Sequence, residues 1–461
     1  MPSSCLDYET QQLADWFRTT LFDMAREGGR PLPDSQDFCC AAHLPLISIP
    51  CTARANARVL AKSSMMAGES APRRLSIFGS TGSIGQNTLD VVEQLGGRDC
   101  YEISVVTGNE NVQLLAQQAK SSGAKLAVTA SDGKYHSLKE ELSGSGIAVA
   151  AGVSGLTEAA DLEADWVMAA IVGTAGLAPT LAAARKGATI ALANKECLVS
   201  AGDLFVDAVA KGGGRLIPVD SEHSAIFQSL DEDQRHAVER IILTASGGPF
   251  RTWSRADMAN VTAATARAHP NWSMGLKISV GSASMFNKAL EMIEAKHLFG
   301  VRPDQIEVIV HPQSIIHSMV GYTDGSIIAQ LGSPDMRTAI GYALDYPRRP
   351  TLNVERLDFA KLSRLDFEAP DEERFPALRL ARTALERGGL QGAIMNAAEE
   401  IAFHAFVEER IGFLAMADIA EAVMDKMIAS GEAKTMDDVF AADAEARRLA
   451  AELVALNEKA A

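Results

Sequence analysis

Asp220, Glu222 and Glu291 are the side chains in this sequence best suited to hold a metal ion. The segment Pro218-Val219-Asp220-Ser221-Glu222-His223 places two carboxylates at i and i+2. An extended backbone there would project both to the same side, where they can share a divalent cation. A DxE pair alone is common on solvated loops, so the third candidate carries weight. Glu291 stands on a predicted helix with Asn287 one turn earlier, on the same face, and Lys288 at i−3. Carboxylates without histidine or cysteine suit Mg²⁺ or Mn²⁺ better than Zn²⁺.

Anion-binding residues cluster nearby in the sequence. The loop Thr244-Ala245-Ser246-Gly247-Gly248-Pro249-Phe250 follows a strand-like run, and exposed backbone N–H groups beside a serine make an anion nest. With Ser282, read as lying near the start of the next helix, and Lys288 further along it, this loop can hold a phosphate. Between them, His269-Pro270-Asn271-Trp272-Ser273-Met274-Gly275-Leu276-Lys277 sets a tryptophan and a methionine in a polar stretch, as the apolar cover of a mobile lid would require. Gly247, Gly248 and Gly275 are its hinges; burial of Trp272 in the core is the competing placement. Asn194-Lys195-Glu196 follows the run ATIALA and so belongs at the carboxyl edge of a sheet, where open α/β folds bind ligands. His317, after another strand, fits a satisfied polar residue better than a catalyst.

Gly79-Ser80-Thr81-Gly82-Ser83-Ile84-Gly85 sits between a strand and a helix, the context in which a glycine-rich turn cradles a pyrophosphate at a helix N-terminus. The spacing is GxxGxxG rather than GxGxxG. After the second strand, Gly108-Asn109-Glu110-Asn111 offers a carboxylate where an NADP enzyme normally places a cation. Local charge therefore favours NAD, unless Glu110 faces solvent and Thr81, Asn109 or Asn111 holds a 2′-phosphate.

These residues need a scaffold, and the chain from Leu75 supplies one. LSIFG, YEISVVTG, KLAVTA, DWVMAAIV and ATIALAN alternate with helical stretches, the mark of βαβ units and a parallel sheet. The expected class is α/β: a Rossmann-like parallel sheet over 74–219, a central α+β catalytic and metal-binding domain over 220–345 with a lid over 246–277, a linker over 346–376, and an α-helical domain over 377–461. Strands are expected at IILTA, IEVIV, HSMVGY and SIIAQL, and a helix from about Ser284 to Leu298. The net charge of −16 excludes non-specific nucleic-acid or anionic-membrane binding through the bulk surface. No apolar run approaches the roughly 20 residues of a membrane-spanning helix, so a soluble chain is expected. Six cysteines without CxxC spacing suggest neither a zinc site nor a disulfide framework, and point to a reducing compartment. Residues 1–73 stand apart: they read as disordered or non-native, either from a start codon placed too early, with Met65 or Met66 as the true first residue, or as a transit peptide, which the acidic residues over 1–38 oppose.

From Leu75 to Ile340, GSTGSIG, LANKE, PVDSEHSAIFQ, LTASGGPF, HPNWSMG, KISVGSASMFNKALE, HPQSIIHSMV and AQLGSPDMRTAI resemble in this order the 1-deoxy-D-xylulose 5-phosphate reductoisomerases. The resemblance implies an NADPH- and Mg²⁺- or Mn²⁺-dependent enzyme, cytoplasmic in bacteria or plastid-type if the extension is a transit peptide, and a homodimer. It implies metal ligation by Asp220, Glu222 and Glu291, and phosphate binding by Ser246, Ser282, Asn287 and Lys288. Lys195, Ser221, His269 and Trp272 would line the substrate site. Gly79, Thr81, Gly82, Ser83, Ile84, Asn109, Asn111, Asn194, Glu196 and Gly275 would contact the cofactor. The pattern breaks at Glu110, where the family usually has Lys or Arg, at Gly281, where aspartate is common, and at Cys197, where serine is usual. Another two-domain nicotinamide oxidoreductase, or a nucleotide-sensing relative without activity, is the alternative; the first would lack the metal triad, and the second would have lost one of its key residues.

Overall fold

Alternation of apolar residues along the first strand settles how the chain layers. In the computed structural model, which describes residues 71–267, 272, 274–428, 431 and 433–458, β1 (Arg73–Phe78) sends Leu75 and Ile77 to one face of a sheet and Phe78 to the other. A strand covered on both faces needs apolar residues on both, as the near-continuous run LSIF provides. β1 pairs in parallel with β2 (Tyr101–Gly108) and, on its other side, with β5 (Trp166–Ala169). β3 (Leu126–Thr129), β4 (Ala148–Ala151), β6 (Thr189–Leu192) and β7 (Arg215–Pro218) complete a seven-stranded sheet in the order β4-β3-β2-β1-β5-β6-β7. The direction of winding reverses between β1 and β5, and ligands bind at such switch points.

The crossover helices are α1 (Ser83–Gln94), α2 (Val112–Ser122), α3 (Tyr135–Glu141), α4 (Gly152–Asp161), α5 (Leu177–Arg185) and α6 (Glu196–Gly212). β4 and β7 are the strands that the sequence reading lacks. β4 is four residues long and only partly buried, and β7 ends in a proline, so neither has a strong periodic signal.

After α7 (Ser221–Ser229), β8 (Val238–Ala245) starts a second sheet. α8 (Leu276–Ala283) and α9 (Phe286–Phe299) lead to β9 (Ile306–Val310), β10 (Ile316–Tyr322) and β11 (Ile327–Leu331), giving the order β11-β10-β8-β9. β8 and β9 are parallel; β10 is antiparallel to β8 and to β11. α10 (Met336–Asp345) returns to the first sheet, where Ile340 and Leu344 join the cluster containing Leu75 and Ile77, and the indole of Trp166 donates to Ala343 O at 3.1 Å. A buried indole needs that acceptor. In 346–376 Glu368 bridges back to Val310.

α11 (Ala377–Arg387), α12 (Gln391–Val407), α13 (Ala415–Lys426) and α14 (Met436–Glu458) form the helical end of the chain. α12 is apolar around nearly its whole circumference and is correspondingly buried. One of its acidic residues, Glu400, meets Lys277 from α8: Lys277 Nζ donates to Glu400 Oε1 at 2.5 Å and to Glu196 Oε1 at 2.8 Å, and Arg447 of α14 pairs with Glu400 from the other side. Burial pushes the Glu399 carboxyl up to about 7, with Lys277 pulling against it. Between the ordinary carboxylate value and about 7, folded chains hold a proton that unfolded chains have released, so stability falls as pH rises through that window. Glu399→Gln is therefore expected to melt higher than the parent at pH 8, by roughly 2–4 °C, and close to it at pH 5. Equal shifts at both pH values in a thermal denaturation series would contradict an ionisation cost at Glu399.

Candidate active site

The pocket opens beyond the carboxyl ends of the first sheet's strands, lined from α1 by Ser83 and Ile84, from the segment after β6 by Lys195, and from the α7 start by Asp220, Ser221 and Glu222. The second sheet brings Ser246 and Gly247 at the end of β8, and α8 and α9 bring Ser282, Asn287 and Lys288. Trp272, Met274 and Gly275 border it from the lid segment.

Asp220 and Glu222 do not lie on an extended strand as the sequence pattern suggested. Asp220 caps α7, its Oδ1 accepting from Glu222 N at 3.2 Å, and Glu222 occupies the first helical turn. An aspartate directly before an amphipathic run favours that cap. The pair still converges, because Glu291 approaches from α9: ligand atoms of Asp220, Glu222 and Glu291 all lie within 4.8 Å of one another. Ser282 likewise sits at the end of α8 rather than near the start of α9. The helix expected from about Ser284 to Leu298 is α9; α8 is an additional helix before it, and Met285, whose φ is 65°, turns the chain between the two. That left-handed methionine is what lets Ser282 and Asn287 face one pocket; such backbone strain concentrates at functional sites.

Two lysines hold the carboxylates together. Lys195 Nζ donates to Asp220 Oδ2 at 2.6 Å, to Glu291 Oε1 at 2.9 Å and to Asn287 Oδ1 at 2.9 Å. Lys288 Nζ donates to Glu222 Oε1 at 2.8 Å and to Glu291 Oε2. Asn287 Nδ2 reaches Glu291 Oε1 at 2.5 Å, which accounts for the i,i+4 pairing seen in the sequence. The Glu291 side chain is fully buried. Burial, then the charges of Asp220 and Glu222, push its carboxyl up to about 7 against the pull of both lysines. Burial also opposes ionisation of Asp220, yet Lys195, His223 and Lys288 hold it well below the usual carboxylate range. Three carboxylates against two ammonium groups leave negative charge in excess, and a divalent cation fits that deficit.

Sequence reasoning gave no role to His223 and Glu294. Both are buried behind the triad: His223 Nδ1 lies 3.0 Å from Glu294 and 3.4 Å from Asp220, and its Nε2 contacts Glu291 O at 3.0 Å. Glu294 is one helical turn beyond Leu290, on a stretch that reads as core, so only the spacing from Glu291 hints at it. His317 is 8 % exposed, burial pushes its imidazole down, and its ring centroid lies 6.0 Å from that of Trp272. Trp272 thus borders both the pocket and the second sheet, between the two placements the sequence allowed. His269 lies outside the described residues.

Two glycines permit close backbone approach around the pocket. Gly248, at φ +67°, admits the β8 loop so near α8 that a Cβ there would come within 2.8 Å of Ser282 O, and Gly248 N donates to Ser246 Oγ at 3.2 Å. The turn after β1 uses the same device: at Gly79, φ +87°, a Cβ would meet Ala170 O at 2.5 Å. Gly82 then caps α1 with no side-chain hydrogen bond. Thr81 packs beside Gly108; Asn109 and Asn111 follow β2, Asn111 capping α2 through Leu114 N at 3.1 Å. Gly275 caps α8 at the pocket rim. Asn194 and Glu196 are buried one layer below: Asn194 Nδ2 donates to Gly173 O at 2.9 Å, and Glu196 Oε1 accepts from Gly173 N at 3.2 Å, so both shape the loop after β5.

A doubly wound sheet with a glycine turn at its switch point, facing a buried carboxylate–lysine pocket, defines a nicotinamide-dinucleotide oxidoreductase. Family models described as 1-deoxy-D-xylulose 5-phosphate reductoisomerase, its C-terminal domain and the DXP reductoisomerase C-terminal domain match residues 75–202, 216–299 and 331–449. A 1-deoxy-D-xylulose 5-phosphate reductoisomerase of Rhizobium rhizogenes is 79 % identical over 86 % of this chain and 100 % of its own length. Among solved structures, the Zymomonas mobilis enzyme in complex with NADPH is 54 % identical with a TM-score of 0.78, covering 84 % of this chain and 99 % of that one. A DOX-P reductoisomerase in complex with NADPH, fosmidomycin and magnesium is 42 % identical with a TM-score of 0.79, covering 83 % and 98 %. The chain belongs to the 1-deoxy-D-xylulose 5-phosphate reductoisomerase family and is an NADP-dependent oxidoreductase.

Removing one cation should expose the charge excess directly. Lys195→Met leaves Asp220 and Glu291 buried without that partner, a loss of about 3–5 kcal/mol for broken buried pairs. The expected result is a clear drop in melting temperature that added Mg²⁺ largely restores; a drop insensitive to Mg²⁺ would argue against a cation at the triad.

Proposed function

We propose that this protein rearranges and reduces 1-deoxy-D-xylulose 5-phosphate to 2-C-methyl-D-erythritol 4-phosphate with NADPH and a divalent cation, in the non-mevalonate route to isoprenoids. The observation that carries this reading is the convergence of Asp220, Glu222 and Glu291 beside an anion-binding loop, at the mouth of a dinucleotide-type sheet. A cation held by the three carboxylates supplies Lewis-acid polarisation of the substrate's carbonyl and hydroxyl oxygens and stabilises charge developing there.

The remaining work falls to the chain's own groups. Lys288 donates to Glu222 and Glu291; with a cation held by those carboxylates, its ammonium would be free to face the substrate phosphate. Ser246, Ser282 and Asn287 complete that phosphate site, with His269 and Ser221 lining the substrate. Burial opposes a charge on Lys195, but Asp220, Glu291 and Glu294 hold it well above the usual lysine value, so it stays cationic and steadies the oxyanion rather than acting as a base. Trp272 closes over the substrate and excludes water before hydride transfer. Phosphate contacts far from the reacting carbons provide the binding energy for that closure. Ser83 and Ile84, with Gly79, Thr81, Gly82, Asn109, Asn111 and Gly275, hold the cofactor, while Asn194 and Glu196 support it from beneath.

We also place the protein in the cytoplasm, as a homodimer. Among the described residues Cys100 and Cys197 are free thiols, and no helix is long and apolar enough to cross a membrane. β11 is an edge strand with Ile327 and Ile328 each 48 % exposed, the kind of apolar edge that a second copy covers. Ile328→Glu is expected to shift sedimentation from a dimer to a 49.0 kDa monomer; an unchanged dimer would move the interface elsewhere. For the reaction, NADPH oxidation should require both 1-deoxy-D-xylulose 5-phosphate and Mn²⁺ and stop with chelator. Glu291→Gln should lower turnover by at least about 10³-fold with NADPH affinity unchanged, and substantial activity of that variant in Mg²⁺ would remove Glu291 from the metal site.

A further inference from the structure

A carboxylate shortly beyond the second strand of a dinucleotide-binding sheet ordinarily pairs with ribose hydroxyls and disfavours a 2′-phosphate. Glu110, two residues after β2, occupies that place. Its electrostatics are not those of an isolated acid. Glu110 Oε2 lies 3.5 Å from Lys134 Nζ, and the two side chains are 65 % and 41 % exposed. Lys134 comes from the loop after β3, the next strand in the sheet.

The two loops are fastened to each other. Ala130 N donates to Gly108 O at 2.8 Å, Thr129 Oγ1 donates to Asn109 O at 2.8 Å, and Ser131 N donates to Thr129 Oγ1 at 3.3 Å. Backbone position therefore directs the lysine toward Glu110, and a group bound at that carboxylate's place comes within reach of the ammonium. An exposed ion pair of this kind is worth little by itself, so the ammonium changes partner easily.

We infer that Lys134 is a specificity-determining residue of this chain: it supplies, from the β3 loop, the cation for the cofactor's 2′-phosphate that position 110 does not. The inference rests on the NADPH reading above. When a 2′-phosphate binds, Lys134 donates to it and the Glu110 carboxylate swings toward the solvent that already surrounds it. Lys134 is not among the residues that line the triad pocket, and it takes no part in the chemistry.

Equilibrium binding tests this without turnover. Dissociation constants for 2′,5′-ADP, 5′-ADP, NADPH and NADH would be measured by calorimetry on the parent protein, Lys134→Gln, Lys134→Arg and Glu110→Gln, with melting temperature as a check on folding. Lys134→Gln is expected to weaken 2′,5′-ADP and NADPH about tenfold or more, the scale of a lost hydrogen bond to a charged group, with 5′-ADP and NADH within twofold of the parent. Lys134→Arg should retain the preference, and Glu110→Gln should tighten NADPH several-fold. Equal weakening of all four ligands, or no weakening of 2′,5′-ADP, overturns the assignment. A parent protein that binds NADH as tightly as NADPH refutes the cofactor reading itself, and that result is visible before any variant is made.

Discussion

Negative charge held in excess inside a largely buried pocket is the constraint on which this structure depends. Two ammonium groups cannot neutralise three carboxylates, and Glu291 registers the shortfall as a carboxyl pushed up to about 7 by burial and by its acidic neighbours. Such a cluster is tolerated only where every oxygen has a partner and where a ligand of opposite charge completes it. Lys195, Lys288 and Asn287 supply the partners. The lysines draw the three carboxylates together into one cluster.

The fold answers this constraint with elements from both sheets. α7 and the segment after β6 come from the end of the parallel sheet, while α8 and α9 precede β9 in the second. Neither set would hold the triad alone, since Asp220 and Glu222 belong to the first and Glu291 to the second. The helical end of the chain enters the same system through Lys277, which ties Glu196 under the loop after β5 to Glu400 on α12 and, through it, to Arg447 on α14. A buried ionic network of this kind sets position more than it adds stability.

Much of the site was legible from residue types. Asn287, Lys288 and Glu291 announced a functional face because a helix periodicity of 3.6 places them together whatever surrounds them. The glycine turn was legible because strand, turn and helix follow directly in sequence. Ser282 and the Asp220–Glu222 pair were placed on the wrong local geometry. The first depends on a left-handed methionine at 285, which no propensity favours and only packing enforces; the second turns on Asp220 capping a helix rather than ending a strand.

Lys134 shows the limit most clearly. In sequence it stands well apart from Glu110, with no motif linking them, and its meaning comes from two adjacent parallel strands and the hydrogen bonds between their loops. Sequence by itself determined the α/β class, the glycine turn between β1 and α1 and which carboxylates to look for together, because each follows from local periodicity or side-chain chemistry. Tertiary structure alone decided which charges meet, how far Glu291 is driven from its ordinary ionisation, and which cation stands beside Glu110. Those are properties of distance and burial, and neither is written along the chain.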